Sequence, residues 1–448
     1  MDQKKIVLIA STVASFFTPF MASAVNVAVP MIEKEFELNA VFIAWISTAF
    51  LLSTAMFLVP MGRLGDVKGR RNIFVLGVSI FAISSLFCSL SISGLMLVIF
   101  RFLQGIGAAM IASTGIAMLT SAYPPQERGK VLGINTSAVY IGLSSGPFVG
   151  GIITQHFGWR TLFIIPTIIA LIPIFLAFRV KEEKYGGVFD VKGSIVFSFS
   201  LFSLIYGFSI LPKSFGYLMI FLSFIFFILF ILIENRTSQP ILNVSIFRKN
   251  IVFTMSNLSA LLNYSATFAV TFLISLYLQF IKGLSPQDVG TILLIQPVVM
   301  AALSPISGWL SDRIEPRIIA SIGMALTSLS LFLFSTLEIG SPIEIVVTYL
   351  FLIGFGFGLF SSPNTNAVMS SVERQLYGLA SATLATMRVV GQALSMGIVI
   401  VIFAIMIGSA RIGEAVSEFI AAMKMAFAVS AILCLLGVFT SLARGKVR

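Results

Sequence analysis

The residue most open to a functional interpretation is an arginine inside an apolar run. Arg101 lies within the fourth such run of the sequence, and Gln104 follows three positions later on the same helix face. A guanidinium inside a membrane span is costly, so it faces the interior of a helix bundle and finds hydrogen-bond partners there. Asn26 is a neutral candidate partner. Arg388 poses the same question, although a long basic side chain near a span end can also reach the membrane surface. We predict that these residues belong to a substrate or proton pathway.

Other chemistries lack the residues that they need. His156 is the single histidine of the sequence, and its place beside Phe157 and Trp159 is typical of a polar residue at a membrane interface, although it could also titrate near neutral pH. Cys88 and Cys434 each lie in an apolar run, so the spacing of a disulfide framework or a metal site is absent. No nucleophile, metal cluster or pair of carboxylates stands near a membrane surface. The sequence therefore predicts no enzyme, no metal and no cofactor.

The segment 62–71, GRLGDVKGRR, joins two apolar runs and has an unusual composition. Its glycines permit a tight turn, its aspartate can face the positive N-terminus of another helix, and its arginines can pair with carboxylates or lipid phosphates. A connection that only had to carry positive charge would need the basic residues alone. The positions that stand out are therefore Gly62, Asp66, Gly69, Arg70 and Arg71.

A second glycine pattern lies within the fifth apolar run. Gly142, Gly146 and Gly150 recur every four residues, so they share one helix face and allow a neighbouring backbone to approach closely. Pro147 bends the helix at the same level, and Gly151 follows. The plainer alternative is an ordinary small-residue contact between two helices.

The elements that hold these residues must be membrane helices. Hydrophobic residues make up 58% of the chain, charged residues 10%, and the mean hydropathy is +1.03, which is outside the range of soluble domains. A backbone in lipid has to satisfy its own hydrogen bonds, so the spans are helices. Apolar runs of about 20 residues recur along the whole chain. We predict fourteen spans, at 6–30, 41–61, 73–91, 95–122, 131–153, 162–178, 193–211, 217–233, 251–281, 289–310, 318–337, 343–363, 378–407 and 419–442.

Loop charge predicts the orientation of the chain. About 21 of the Lys and Arg residues fall in the termini and the even-to-odd connections, against about 6 in the other connections. Both termini are therefore expected in the cytoplasm. The net charge of +11 is scattered through short loops, which argues against nucleic acid as a partner. Lys4, Lys5 and the residues 22–24 imitate a cleavable signal peptide, but the apolar run continues through 25–30, so we expect a retained first span.

The sequence repeats part of itself. The letters GRLGD at 62–66 recur as GWLSD at 308–312, a distance of 246 residues, which is more than half the chain. Two six-helix halves with an extra helix pair between them account for this distance. We predict a first half at 1–184, an inserted pair at 185–240 and a second half at 241–448. A carrier of this design rocks its halves about a central cavity, which we expect spans 1, 4, 5, 9, 10 and 13 to line.

Several motifs resemble those of the major facilitator superfamily. Segment 62–71 is similar to its signature loop, G-x-L-x-D-x-x-G-R-[RK], and the residues from Arg101 onward are similar to its R-x-x-Q-G-x-G-A-A motif. The glycines at 142–151 resemble the motif that marks its antiporters. The flanks of the inserted pair resemble those of the 14-helix drug:proton antiporters, namely Phe189, Asp190, Gly193, Glu234, Pro240, Ile241, Leu242 and Phe247. The resemblance covers nearly the whole chain.

The resemblance implies a fold and an activity. The fold is an all-α polytopic major facilitator bundle of two six-helix halves plus two central helices. The implied activity is export of drug-like or small organic compounds by a proton-coupled antiporter, with a small-molecule substrate, protons and the lipid bilayer as partners. It implies a monomer in the cell membrane. In the family, segment 62–71 is a latch that favours the outward-open state, and the 142–151 motif is a seal against proton leak. A receptor or scaffold, the remaining alternative, would be marked by an added soluble domain.

One position departs from the family pattern. When the run 25–30 is aligned with the first-span motif, Met21 stands where the 14-helix group has a membrane aspartate. The remaining Asp and Glu residues lie at span ends or in loops. This loss favours neutral or anionic cargo over dications. It also keeps open an alternative function, a uniporter or importer of a small organic solute.

Overall fold

The computed structural model describes residues 3–181, 186, 188–237, 241, 244–311, 313–373 and 376–445. Asp312, Pro240 and Leu242 lie outside this set, as do the predicted boundaries at residues 1, 184, 185 and 448. The described residues form helices and no strands. Thirteen of these helices are long and apolar enough to cross a membrane, and a shorter apolar stretch, Thr161–Ala177, occupies the sixth predicted span. The predicted all-α polytopic architecture is confirmed.

The first half contains the helices of spans one to six. They are α1 (Gln3–Phe36), α2 (Ala40–Lys68), α3 (Arg70–Ser89), α4 (Gly94–Ala122), α5 (Pro125–Phe157), α6 (Thr161–Ile169) and α7 (Leu171–Ala177). The inserted pair follows as α8 (Val191–Ser209) and α9 (Ser214–Glu234). The sixth span is divided at Ala170, near Pro173, because a proline has no N–H with which to bond the preceding turn.

The second half begins with a short helix, α10 (Val244–Lys249). The ninth span is built from α11 (Ile251–Thr267), α12 (Ala269–Leu276) and a π-helical turn at Tyr277–Ile281. The remaining spans are α13 (Pro286–Leu293) with α14 (Ile295–Ser311), then α15 (Pro316–Phe334), α16 (Ile343–Ser370), α17 (Tyr377–Met406) and α18 (Val416–Ala443).

The two halves pack their helices in the same scheme. In the first half α1 packs on α5, α2 on α4 and α3 on α4, and in the second α11 packs on α17, α14 on α16 and α15 on α16. Glycines lie at equivalent helix contacts in the two halves. A Cβ on Gly77 of α3 would lie 3.1 Å from the Gly107 carbonyl of α4. A Cβ on Gly323 of α15 would lie 2.6 Å from the Gly356 carbonyl of α16. Gly77 and Gly323 are separated by the same distance in sequence as the two loop motifs. The internal repeat is therefore visible in the packing.

The inserted pair lies beside the seam between the halves. α8 packs on α9, on α2 of the first half and on α17 of the second. The Ser198 hydroxyl donates to the Met56 carbonyl of α2 at 3.0 Å, and the Ile205 side chain packs against Gly397 of α17. Most of the α9 span remains exposed to the surroundings of the bundle.

The segment 62–71 differs from its predicted form. α2 continues as a helix through Lys68, so the turn is confined to Gly69, whose φ of 111° suits glycine. Gly62 and Gly65 are helical and face Ser113 and Thr114 of α4; a Cβ on Gly65 would lie 2.8 Å from the Thr114 side chain, whereas one on Gly62 would lie 3.4 Å from Ser113, an ordinary contact. Helix packing, rather than a turn, explains the glycine at 65. We call the end of the bundle that carries segment 62–71 the loop side, and the end that carries residues 33–40 and 410–414 the far side.

Candidate functional site

A cavity lies between the two halves and consists of two adjoining chambers. The small chamber, of about 70 Å³, is lined by α1 and α5 of the first half and by α11 to α14, α16 and α17 of the second. The large chamber, of about 690 Å³, extends from it along α5, α14, α16 and α17 toward the loop side. Tyr140, Ser144, Pro297 and Met300 line both chambers. The cavity therefore widens from mid-bundle toward the loop side.

The small chamber is lined by polar and apolar side chains, and by no charged one among the described residues. Its hydrogen-bonding side chains are hydroxyls and carboxamides, and its described lining contains no Asp, Glu, Lys, Arg or His. The polar lining comprises Ser23, Asn26, Tyr140, Ser144, Tyr264, Thr267, Thr271, Gln296 and Gln392. Phe268 and Phe357 supply apolar surface. Such a lining suits an uncharged solute, because a charge removed from water needs a partner of opposite sign.

A hydroxyl bridge joins the halves at this level. The hydroxyls of Tyr140 on α5 and Tyr264 on α11 lie 2.8 Å apart. The Ser361 hydroxyl of α16 donates to the Tyr140 oxygen at 3.1 Å, and the ring of Tyr264 meets Phe357 edge-on with centroids 5.6 Å apart. Arg388 lies 6.0 Å from the Tyr140 ring centroid, so its guanidinium is directed at an aromatic face beside the cavity. Of the predicted pathway residues, Asn26 lines the cavity and Arg388 borders it.

Arg101 and Gln104 lie elsewhere. Arg101 is fully buried within the first half, where its Nε donates to the Ile46 carbonyl at 3.0 Å and its Nη1 donates to Gln104 Oε1 at 2.6 Å. The Gln104 amide in turn donates to Ser85 Oγ at 2.5 Å. The Phe50 ring centroid lies 4.4 Å from the guanidinium carbon. The Arg101 partners are thus a side-chain carboxamide and a backbone carbonyl, and Asn26, the partner suggested by the sequence, is not among them, because its Oδ1 accepts from Ser47. Neither Arg101 nor Gln104 lines either chamber, and the pair links α2, α3 and α4.

The predicted lining of the cavity needs a correction. No described residue of α4, the fourth span, lines the small or the large chamber, whereas α16, the twelfth span, contributes to both. α4 packs between α2 and α3, which turns its interior face toward its own half. Only near the loop side does α4 border the opening between the halves.

Met21 does not line the chambers either. It is 0% exposed in α1 and belongs to the apolar core. Two acidic residues are buried near span ends: Glu33 lies in the last turn of α1 and Glu234 ends α9. The described lining of both chambers contains no Asp or Glu, which agrees with the prediction that the acidic residues lie at span ends or in loops.

The glycines of α5 make two different contacts. A Cβ on Gly142 would overlap the backbone of Phe16, one on Gly146 would overlap the Ser23 hydroxyl, and one on Gly150 would lie 3.0 Å from Ala24, all on α1. The predicted close approach of a neighbouring backbone is therefore present. Gly151 faces the opposite way and lies against the backbone of Pro286 at the start of α13 in the second half.

The contact of α5 with α13 is reciprocal and closes the far side. A Cβ on Gly290 of α13 would overlap the backbone of Pro147. His156 Nε2 and Gln287 Oε1 lie 2.9 Å apart across the same seam. The five motif positions, Gly142, Gly146, Pro147, Gly150 and Gly151, thus lie where α5 meets α1 and α13, although their role in coupling remains a prediction.

Loop contacts add to the closure of the far side. The Ala40 amide donates to the Ala410 carbonyl at 3.1 Å, and Arg411 Nη2 pairs with Glu37 Oε2 at 2.7 Å, so the connection after α1 holds the connection after α17. Deeper in the bundle, the Ser275 hydroxyl donates to the Asn26 carbonyl at 3.1 Å. The two halves are therefore in contact across the far side.

Segment 62–71 is bonded to the first half and, through Arg63, to the residues before α8, because Arg63 Nη2 donates to the Val188 carbonyl at 3.3 Å. Asp66 Oδ1 pairs with Arg70 Nη2 at 2.7 Å, Arg70 Nη1 donates to the Ala117 carbonyl at 3.0 Å, and Arg71 Nη1 donates to the Val180 carbonyl at 3.1 Å. These bonds tie the start of α3 to the ends of α4 and α7.

Across from this segment lies an open cleft of about 560 Å³. Gly62, Asp66 and Arg70 line one wall, and the first turns of α17, from Gly378 onward, line the other. Asp66 thus faces the N-terminal end of a helix of the other half across open space. The loop side holds this cleft, beside which Gly378 of α17 still packs against Thr120 of α4, whereas the far side holds the contacts of α5 with α13 and of Ala40 with Ala410.

Some residues of interest were not singled out from the sequence. Gln296 and Gln392 are neutral, so a search for charges within spans passes over them. Arg444, which follows the last helix, is 0% exposed and donates to Ser256 Oγ at 3.3 Å and to Asn364 Oδ1 at 3.2 Å. In the sequence, Arg444 is one of the basic residues near the C-terminus that predict the orientation of the chain. An arginine directly after an apolar helix is a usable signal, because cations favour helix C-termini.

Comparison with known proteins agrees with this architecture. A bacterial homologue of the human lysosomal transporter Spinster, solved in an inward-facing and unoccupied conformation, shares the fold with a TM-score of 0.70 and 16% identity over 99% of this chain and 97% of its own. The riboflavin transporter RibZ of Clostridioides difficile (strain 630) is 32% identical over 392 residues, 87% of this chain and 86% of the relative.

Two further relatives are named for resistance to drugs or for resistance to and export of tetracenomycin C. The multidrug resistance protein Stp of Mycobacterium tuberculosis (strain ATCC 25618 / H37Rv) is 27% identical over 408 residues, covering 89% of this chain and 76% of the relative. The tetracenomycin C resistance and export protein of Streptomyces glaucescens is 28% identical over 410 residues, covering 90% and 76%. The model of the Major Facilitator Superfamily matches residues 12–396 and 256–446. On these motifs, this fold and these relatives, the chain belongs to the Major Facilitator Superfamily, whose members are membrane transporters.

Proposed function

We propose that this transporter exports small, uncharged organic compounds by alternating access through the central cavity. The observation that carries the proposal is the uncharged cavity between the halves, open toward the loop side and in contact across the far side. Export is supported by the relatives named for drug resistance and antibiotic export, and by the glycine-lined contacts of α5. Protons entering as the halves exchange positions would supply the driving force.

The proposal includes a topology. The loop side carries most of the basic residues, and the start of α1 and the end of α18 lie there, so we place it in the cytoplasm of a cell whose plasma membrane holds the protein as a monomer. The halves extend over 1–184 and 241–448, with 185–240 as the inserted pair. Reporter fusions at both termini and after Arg71 should all report a cytoplasmic location. A periplasmic C-terminus would exclude an even number of spans.

Uptake or uniport of an organic solute is a second candidate function. The described lining of both chambers contains no carboxylate, and Met21 occupies the position of the usual membrane aspartate. A relative at 32% identity is named a riboflavin transporter, which makes riboflavin a sensible first solute.

One experiment distinguishes these functions. Purified protein reconstituted into proteoliposomes is tested for counterflow of riboflavin, a neutral drug-like dye and the cation tetraphenylphosphonium, with and without an imposed pH gradient. Antiport predicts that a gradient of the correct sign accelerates movement of the uncharged compounds, whereas uniport predicts counterflow that is indifferent to the gradient. If no compound moves faster than in protein-free liposomes, the proposed transport through this cavity is wrong.

A further inference from the structure

Three carboxamide side chains meet at the small chamber from three different helices. They belong to Asn26 of α1, Gln296 of α14 and Gln392 of α17. Asn26 is 0% exposed, and its Oδ1 accepts a hydrogen bond from Ser47 Oγ at 2.7 Å. Its Nδ2 is buried and has no hydrogen-bond partner within the described part of the chain. One donor at the chamber wall is thus already fixed in position and unused.

The two glutamines add to this unused capacity. Gln392 is 6% exposed and Gln296 is half-buried, and their side-chain amides take part in none of the hydrogen bonds found among the described residues. Buried polar groups are nearly always hydrogen-bonded, so amides left open at a cavity wall indicate a ligand or solvent that completes them. Each carboxamide offers an N–H donor and a carbonyl acceptor.

The chemistry of the chamber restricts the ligand to an uncharged compound. An ammonium group would leave water without a counter-charge on the described walls, which is a large cost. The cation that borders the cavity, Arg388, is directed at the Tyr140 ring and lines neither chamber. Carboxamides match a ligand edge on which carbonyl oxygens and N–H groups alternate. The rings of Tyr264 and Phe357, in edge-on contact, add flat apolar surface beside these amides.

The size of the chambers divides the ligand into two parts. Pockets for drug-sized ligands hold roughly 300–1,000 Å³. The small chamber, at about 70 Å³, therefore admits only an edge of such a compound, and the adjoining chamber of about 690 Å³ holds the remainder. We propose that Asn26, Gln296 and Gln392 bind the amide or imide edge of an uncharged planar heterocycle. This inference rests on the proposed function, since it names the substrate class of the same cavity.

The test measures binding to the intact, detergent-solubilised transporter. Riboflavin serves as the probe, because its ring system is uncharged and planar and carries an imide, and its fluorescence reports binding. N3-methylriboflavin is the matched ligand, because it keeps the ring and removes the imide N–H. Gln392→Met and Gln296→Met remove one amide each at similar volume, and Gln155→Met, at an exposed position of α5 away from the cavity, is the control.

The expected result is specific to the imide. Riboflavin should bind the unaltered protein at least about tenfold more tightly than N3-methylriboflavin, the size of effect expected when a polar partner is left unpaired. The variant that removes the acceptor of the imide N–H should weaken riboflavin binding by a similar factor and leave the methylated ligand nearly unchanged. A variant that removes a donor to an imide carbonyl should weaken the binding of both ligands, and Gln155→Met should bind both as the unaltered protein does. Comparison of two ligands on each variant separates loss of the amide from loss of fold.

Two results would overturn the inference without touching the transport proposal. Equal affinity for the two flavins would show that no imide N–H is recognised. Tighter binding of tetraphenylphosphonium than of riboflavin, with competition between them, would show a cationic substrate class. In either case counterflow in proteoliposomes would still establish transport, so failure of the substrate class and failure of the function are distinguishable.

Discussion

At the scale of the residue, Arg101 and Arg388 both lie within predicted membrane spans, but only Arg101 is fully buried. Arg101 has no carboxylate partner among the described residues, yet it is fully buried and bonded to the carbonyls of Ile46 and Gln104. The cost of a charge in lipid predicts that Arg101 faces protein rather than lipid. In a transporter with two halves, the surrounding protein is either the core of one half or the cavity between the halves. Helix packing decides between them, and the hydropathy pattern of α4 does not predict that packing.

We predict that Arg101→Ala destabilises the first half. The substitution leaves the Ile46 carbonyl and the Gln104 amide without their partner, and each buried polar group left unpaired costs about 1–3 kcal/mol. Thermal unfolding of the purified protein should shift to lower temperature, and counterflow should fall with the amount of folded protein. Arg388→Ala, beside the cavity, should change counterflow with little change in unfolding temperature. If Arg101→Ala unfolds as the unaltered protein does, Arg101 is not a structural link.

At the scale of the element, the sequence predicted the helices well because the bilayer leaves few alternatives. Each predicted span contains a helix, and the offset of the loop motif reappears in the glycine contacts of α3 and α15. The ends were less accurate: α2 runs on to Lys68 because polar helical turns can continue beyond the apolar run, and hydropathy does not detect them. The faces were harder still, so Gln296 and Gln392 were not recognised as cavity residues.

A pair of glycines, one packed and one open, tests whether the close packing of α5 matters. A Cβ on Gly146 would overlap the Ser23 hydroxyl and lie 2.9 Å from the backbone of Ala24, whereas one on Gly340, in the connection between α15 and α16 and outside both chambers, would meet nothing within 4 Å. Gly146→Ala should reduce counterflow severalfold, and Gly146→Leu should abolish it, because overpacking costs about 1–3 kcal/mol or more. Gly340→Ala should transport normally. Normal transport and pH dependence in Gly146→Leu would mean that α1 and α5 need not approach closely.

At the scale of the whole molecule, the contacts between the halves describe one of the two conformations that the proposed alternating access requires. The far side is held by contacts between the halves, and the loop side holds a cleft with Asp66 on one wall and the start of α17 on the other. A carboxylate near a helix N-terminus is stabilised by about 0.3–2 kcal/mol, so closing the cleft would give Asp66 a favourable partner. The latch role predicted from the signature loop is consistent with this placement and awaits its test.

We predict that Asp66→Asn shifts the conformational balance toward the state with an open loop side. The change removes the negative charge that α17 would attract when the cleft closes, and it also removes the partly exposed pair with Arg70, worth about 0.2–1 kcal/mol. Spin labels on either side of the cleft should report a longer mean distance, and counterflow should slow while expression is retained. Unchanged distances and rates would contradict a latch.

The contact across the far side gives the sharpest test of alternating access. The Ala40 amide bonds to the Ala410 carbonyl at 3.1 Å, so cysteines at these two positions lie close in the present state and must separate if the far side opens. Cys88 and Cys434 are both buried and are replaced by alanine to give a clean background. Oxidation, or a short bifunctional thiol reagent, should link Ala40→Cys to Ala410→Cys and stop counterflow, and reduction of the disulfide should restore it. Each single cysteine variant should transport after the same treatment. Because the cavity remains open to the loop side, the linked protein should still bind riboflavin with unchanged affinity if riboflavin is a substrate. Full counterflow in the linked protein would show that the halves do not part on the far side, and rocking of the two halves about the cavity would then be the wrong mechanism.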